Sequence, residues 1–272
     1  MKNYQVGLGY RRDISEEIMS LASGTIDFIE LAPENWMNIG GQWKKDLKAA
    51  AEKYPMTVHG LSLSIGSPDE LDIPFLKQVK AFLDEYNIDI YSEHLSYSKC
   101  DNAHLYDLLP IPFRKDAVKH IVKRIQQVQD ILERELVLEN VSYYSAIAPE
   151  MDEVDFINAI LEESNCGMLL DVNNIYVNAF NHKYDIDDFI NRLNLQRTRY
   201  IHIAGHEKVS DTLIIDTHGQ AIIDPVYEIL EKVVDKIKPV PVLLERDFNF
   251  PQFDELIGEI KQIRSIINKV EA

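Results

Sequence analysis

The sequence predicts an α/β protein: a single-domain (β/α)8 barrel of the TIM type, spanning residues 1–272. Three observations predict it. Eight short runs rich in Val, Ile, Leu and Tyr, each 5–9 residues long, alternate with eight segments of helical periodicity. No Gly/Ser-rich linker interrupts that alternation. The later runs all end in residues able to do chemistry. Alternating strands and helices build right-handed βαβ units, and eight units in about 250 residues make a closed barrel.

Taken in order, QVGLG (5–9) is followed by a helical pattern over 14–22. DFIEL (27–31) precedes a helix over 42–53, with Trp36 and Trp43 in PENWMNIGGQW read as loop packing. TVHGLS (57–62) precedes 75–86, and DIYSEHLSY (89–97) precedes the longest pattern, 113–133. LVLENVS (136–142) leads to 151–162, and GMLLDVNN (167–174) leads to 186–195. RYIHIAG (199–205) and VPVLLERD (240–247) are followed by 226–237 and 253–270. Nearly unbroken apolar starts mark strands buried on both faces, as in a parallel sheet. The competing open dinucleotide fold lacks its fingerprint, because GLGYRR has G-x-G but no third glycine in place.

Composition narrows the partners. A net charge of −17 repels phosphate backbones, which argues against nucleic acid. The basic cluster Lys115, Lys119, Lys123 and Arg124 reads as a solvated helix face. No run approaches the roughly 18 apolar residues of a membrane span, and the start of the chain lacks a signal-peptide core; the expectation is a cytoplasmic protein without a membrane partner. Cys166 precedes an apolar run and reads as a buried filler, Cys100 as an exposed thiol. Two unpaired cysteines form no disulfide framework.

In such a barrel the active site lies at the C-terminal strand ends. There the runs place His59, then Glu93 and His94, then Glu139 and Asn140, then Asp171 with Asn173 and Asn174. His202 and His206 follow, then Asp216 and His218 in a loop, and finally Glu245 with Arg246 and Asp247. Carboxylates from Glu139, Asp171, Asp216 and Glu245 converging on one mouth repel one another, and cations relieve that repulsion. Imidazole and carboxylate without thiolate suit iron, manganese or zinc. His59, His94, His202 and His218 with the four carboxylates exceed the needs of one ion and suit two or three. Asn174 is a further candidate donor. Asp216 and His218, two apart on an extended backbone, point the same way. Glu139 and Asp171 are also assigned catalytic roles, with His206 as a base beside the metals. Glu93 faces away from His94. An arginine among Arg11 and Arg12 binds a substrate carboxylate or forms a salt bridge. His104, His120 and His182 read as surface residues.

The strings GLGYR, ELAPENW, HGLSLSIGS, SEHLSYS, LENVS, LLDVNNIYVNA, YIHIAGH, DTHG and LLERD, in that order, resemble the multinuclear non-heme iron-dependent oxidases. That family includes the methanobactin-biosynthesis oxidase and is related to the xylose-isomerase-like barrels. The resemblance implies two or three iron ions held by His59, His94, Glu139, Asp171, His202, Asp216, His218 and Glu245, with Asn174 as a further ligand. It implies dioxygen as co-substrate and modification of cysteine in a ribosomally made precursor peptide, giving an oxazolone and thioamide or a related product. It further implies a partner protein that holds the peptide. Two other readings compete: a zinc- or manganese-dependent isomerase or phosphodiesterase on the same barrel, and a non-catalytic metal-binding component of a maturation complex.

Overall fold

The computed structural model describes residues 4–101 and 103–270. The chain opens with β1 (Val6–Gly9), α1 (Ser15–Ser20), β2 (Phe28–Leu31), α2 (Gly41–Lys53), β3 (Met56–Gly60) and α3 (Ile73–Glu85). β4 (Tyr91–His94) is followed by β5 (Ser96–Cys100), β6 (Ala103–Pro110) and α4 (Lys115–Leu132). Then come β7 (Leu136–Glu139), α5 (Glu153–Ser164), β8 (Gly167–Asp171), α6 (Val172–His182) and α7 (Ile186–Arg192). The last elements are β9 (Thr198–Ile203), β10 (His206–Lys208), β11 (Ile214–Asp216), α8 (Asp224–Val234), β12 (Val242–Leu244) and α9 (Phe253–Val270). β1, β2, β3, β4, β7, β8, β9 and β12 close a parallel eight-stranded TIM barrel, sealed by Val6 opposite Val242.

Several helices start where a side chain satisfies a free backbone N–H. Asp72 accepts from Phe75 N, Asp152 from Asp155 N, and Asp185 from Asp188 N. α4 presents Val118, Ile121, Ile125, Val128 and Leu132 to the barrel at spacings of three and four, and all five are buried. The main apolar layer lies between strands and helices.

Strand alternation gives the barrel interior a separate character. Val137, Leu169 and Tyr200 form their own small cluster. Two residues further along the same strands stand Glu139, Asp171 and His202. The register carries this parity round the ring: Gly7 opposite Phe28, Glu30 opposite Thr57, His59 opposite Ser92, His94 opposite Glu139, and His202 opposite Leu243. Gly7 is required by close approach, since a Cβ there would lie 2.5 Å from the Phe28 ring. The interior is therefore apolar low down and polar at the C-terminal mouth.

Several elements differ from the sequence expectation. The run 89–97 is broken at Leu95, and Ser96 onward pairs antiparallel with β6 as a hairpin outside the barrel. The run 167–174 ends at Asp171, and Asn173 and Asn174 lie in the first turn of α6. Arg124 is not solvated: it is buried, and its guanidinium donates to the carbonyls of Ile65, Asp69 and Ser64 at 2.7, 2.6 and 3.2 Å. Trp43 stands in α2 rather than in a loop, with the Arg12 guanidinium 4.8 Å from its ring. No helix among the described residues is long and apolar enough to cross a membrane.

Candidate metal centre

Four overlapping groups of potential metal donors gather at the mouth: His59–His94–Glu139, Glu139–Asp171–His202, Asp171–His218–Glu245 and Glu30–His202–Glu245. Within each, one donor atom per residue lies within 4.8 Å of the others. Glu139, Asp171, His202 and Glu245 each belong to two groups, so the groups form one continuous centre.

The first group shows what the geometry suits. His59 Nδ1 lies 2.8 Å from Ser92 Oγ, and His94 Nδ1 lies 3.1 Å from the Gly60 carbonyl. A carbonyl only accepts, so His94 Nδ1 is a donor and its Nε2 carries a bare lone pair; the Ser92 hydroxyl can accept from His59 Nδ1 and leave that Nε2 bare as well. Those Nε2 atoms stand 3.1 Å apart and 3.2 and 3.3 Å from Glu139 Oε2. Ligand atoms held about 2.1 Å from one ion are about 3.0 Å apart along octahedral edges and about 3.4 Å along tetrahedral ones. The observed edges fall in that interval.

A second observation is independent of those distances. Glu139 Oε2, Asp171 Oδ2, Asn174 Oδ1, His202 Nδ1, His218 Nε2 and Glu245 Oε2 are buried without any hydrogen bond. Several approach one another closely all the same: His202 Nδ1 to Glu245 Oε2 is 2.9 Å, and His218 Nε2 to Asp216 Oδ1 is 2.8 Å. An orphaned buried polar atom costs about 1–3 kcal/mol, and metal ions would satisfy several at once. The residues present therefore fit a multinuclear metal group.

The protonation states are those of a site under electrostatic load. Burial and the charges of Glu139 and Asp216 push the Asp171 carboxyl well above its usual value. Burial pushes Glu245 up as well, but His218 and His202 outweigh it and hold that carboxyl well below normal. Burial opposes a charged His202, yet Glu30 and Glu245 raise its imidazole well above the usual value. Burial and neighbouring His59 push His94 down to about 4.

The loop residues are placed by backbone detail. Asp171 caps α6, taking Asn174 N on Oδ1 at 2.6 Å, so one residue ends a strand, starts a helix and leaves Oδ2 for the mouth. Asn174 Nδ2 donates toward Glu139 Oε1 at 3.3 Å and to the Asn140 carbonyl at 3.0 Å. Asp216 ends β11 and takes Asn173 Nδ2 at 2.8 Å; it is in none of the four groups. His218 reaches Asp216 through a left-handed backbone at φ 52°, not through the extended one the spacing suggested. Its amide is held by the Gly205 carbonyl at 3.0 Å. His206 also stands apart from the groups: it stacks on Tyr176, and Nδ1 bonds Asn173 Oδ1 at 2.7 Å.

Glu93 is buried, accepting from Tyr91 OH and Leu63 N, and burial with the nearby Glu34 charge raises it to about 8. Arg11 pairs with Asp247 at 2.6 Å and lies 3.7 Å from Glu245. Cys166 is buried and Cys100 only half-exposed. His104 is exposed on β6, His120 is exposed and bonds the Ser67 carbonyl, and His182 stacks on Tyr143. The sequence reading passed over Glu30, which meets His202 Nε2 at 2.9 Å. Its signal was the one that marked Glu139: a lone charge inside an apolar strand.

The family model described as "RiPP precursor modification enzyme MbnB/TglH/ChrH" matches residues 5–268. A UPF0276 protein of Shewanella sediminis is 52% identical over 259 residues, covering 95% of this chain and 93% of that protein. A UPF0276 protein of Haemophilus influenzae is 44% identical, covering 99% of this chain and 96% of its own. Among solved structures, a xylose isomerase domain protein from Planctomyces limnophilus aligns at TM-score 0.62 with 10% identity, covering 98% of this chain and 99% of that one. The 3-keto-D-glucoside 4-epimerase YcjR from E. coli aligns at 0.60 with 14% identity, covering 97% and 100%. At such identities these two likenesses concern the fold alone.

Proposed function

This chain belongs to the MbnB/TglH/ChrH family of RiPP precursor modification enzymes, and on that premise we propose that it is a cytoplasmic, iron-dependent, dioxygen-using oxidase. Its substrate is a cysteine in a ribosomally made precursor peptide, presented by a peptide-holding partner protein. The observation that carries the reading is the set of orphaned donor atoms on six residues at one barrel mouth.

His59, His94 and Glu139 would hold one ion; Asp171, His218 and Glu245 would hold a second. His202, Asn174 and Asp216 complete the set of two or three. Once bound, iron supplies a Lewis acid for the substrate thiolate and electrons for dioxygen. The chain's own residues do the rest. Glu139 and Asp171, each shared between groups, fix the spacing of the centre. The buried walls keep bulk water from the donors, which strengthens every interaction among them. His206 spends Nδ1–H on Asn173, and burial lowers its pKa, so Nε2 stands ready to take a proton at neutral pH. Exposed Tyr144, Ile147, Val209 and Phe248 lie on segments following barrel strands, at the same end as the centre. They suit a peptide or its carrier.

The decisive experiment is metal analysis with Mössbauer spectroscopy on protein expressed with iron and purified without oxygen. Two or three coupled irons per chain are expected. One zinc or manganese and no iron, even after iron supplementation, would overturn the oxidase reading.

A further inference from the structure

We infer that Glu30 is a positioning residue that turns His202 so that it ligates through Nδ1, whereas His59 and His94 ligate through Nε2. The inference rests on the metal-centre reading above and deepens it.

Glu30 and His202 are 1% and 0% exposed. Glu30 Oε2 and His202 Nε2 form a hydrogen bond at 2.9 Å. Oε2 accepts that bond, so Nε2 carries the proton. The other ring nitrogen behaves differently. Nδ1 lies 2.9 Å from Glu245 Oε2, which belongs with His202 to one of the donor groups of the centre.

The support for this arrangement extends beneath the mouth. Tyr200, two residues before His202, carries its hydroxyl beside Glu30. That hydroxyl bonds Ser92 Oγ, which in turn meets His59 Nδ1 at 2.8 Å. One buried polar chain, Glu30–Tyr200–Ser92, thus grips both imidazoles from below, by Nε2 on His202 and by Nδ1 on His59. A metal-binding histidine ordinarily gives its other N–H to such a partner, and losing the partner weakens binding about 10–100-fold.

The test uses the full chain, stripped of metal and titrated with Zn2+, with histidine labelled by 15N. In the wild type, His202 should show a metal-bound Nδ1 and a protonated Nε2, opposite to His59 and His94. Glu30→Gln is nearly isosteric and should bind one ion about 10–100-fold more weakly while the His59–His94–Glu139 ion keeps its affinity. Zn2+ bound at His202 Nε2 in the wild type would overturn the inference, and that measurement holds even if the variant does not fold. Unchanged affinity for every ion in a folded Glu30→Gln would overturn it too. A wild type that takes up neither Zn2+ nor Fe2+ would instead bring down the metal-centre reading, and this inference with it.

Discussion

Glu153 shows how far burial alone can move a single group. Its carboxyl is buried at the start of α5, with Oε1 taking Asn178 Nδ2 at 3.0 Å. Burial raises its pKa from 4.5 to about 8, against hydrogen bonds from Asn178 and the neighbouring tyrosines. Because the folded value lies above the unfolded one, the folded state binds the extra proton between those limits. The contribution is whole below about pH 4.5 and lost as pH rises through about 8, amounting to about 5 kcal/mol. Glu153→Gln carries no proton to lose. Thermal melts from pH 5 to 9 should show wild-type stability falling relative to the variant; parallel profiles would refute this. At the same scale, Glu139, Asp171 and Glu245 were legible in the sequence because each breaks an apolar run, a costly thing to do without a reason. Glu30 breaks DFIEL in the same way and was missed, because what explains it is His202, 172 residues away.

Elements differed in how plainly they announced themselves. The eight barrel strands could be read because burial on both faces leaves an apolar run that little else produces. The helix α6 could not, since VNNIYVNA extends the apolar pattern of the strand before it, and its cap is the strand's own last residue. The two hairpins, β5–β6 and β10–β11, were also hidden. Neither has an apolar face to repeat at a period of two, and β6 is exposed over most of its length. Yet β10–β11 places Asp216 and His218, so two candidate donors could be named from the sequence without the hairpin that presents them. That support gives a prediction. A Cβ on Gly205 would collide with the carbonyl of Gln220, just beyond His218 in the chain. Gly205→Ala should displace this loop, cost about 2 kcal/mol of stability, and weaken the ion held through His218. Denaturant unfolding and metal titration would check both; wild-type values in each would mean the loop is not held as described.

At the scale of the whole molecule, the barrel and its centre are separable. The apolar layer between strands and helices surrounds the mouth without depending on it. Glu139→Ala and Asp171→Ala should each lose bound metal while far-UV circular dichroism stays that of the wild type. Full metal stoichiometry in both variants would contradict the ligand assignment. The carboxylates at the mouth, in a chain of net charge −17, also make metal a stabiliser. An ion present at 100 times its dissociation constant adds about 2.7 kcal/mol. A chelator should lower the melting temperature by several degrees, and added metal should restore it; an unchanged melt would show that the mouth holds its charge without cations.

The order of the strands bears on when the protein could first become reactive. The His59–His94–Glu139 group comes from β3, β4 and β7, neighbours in the ring that are all made by Glu139, near the middle of the chain. The groups containing Glu245 wait for β12, which closes the barrel against β1. During synthesis on the ribosome, a nascent chain can assemble one trio early but cannot assemble the complete centre until its last barrel strand has emerged. Any chemistry that needs the whole centre is thereby withheld until the fold around it is finished.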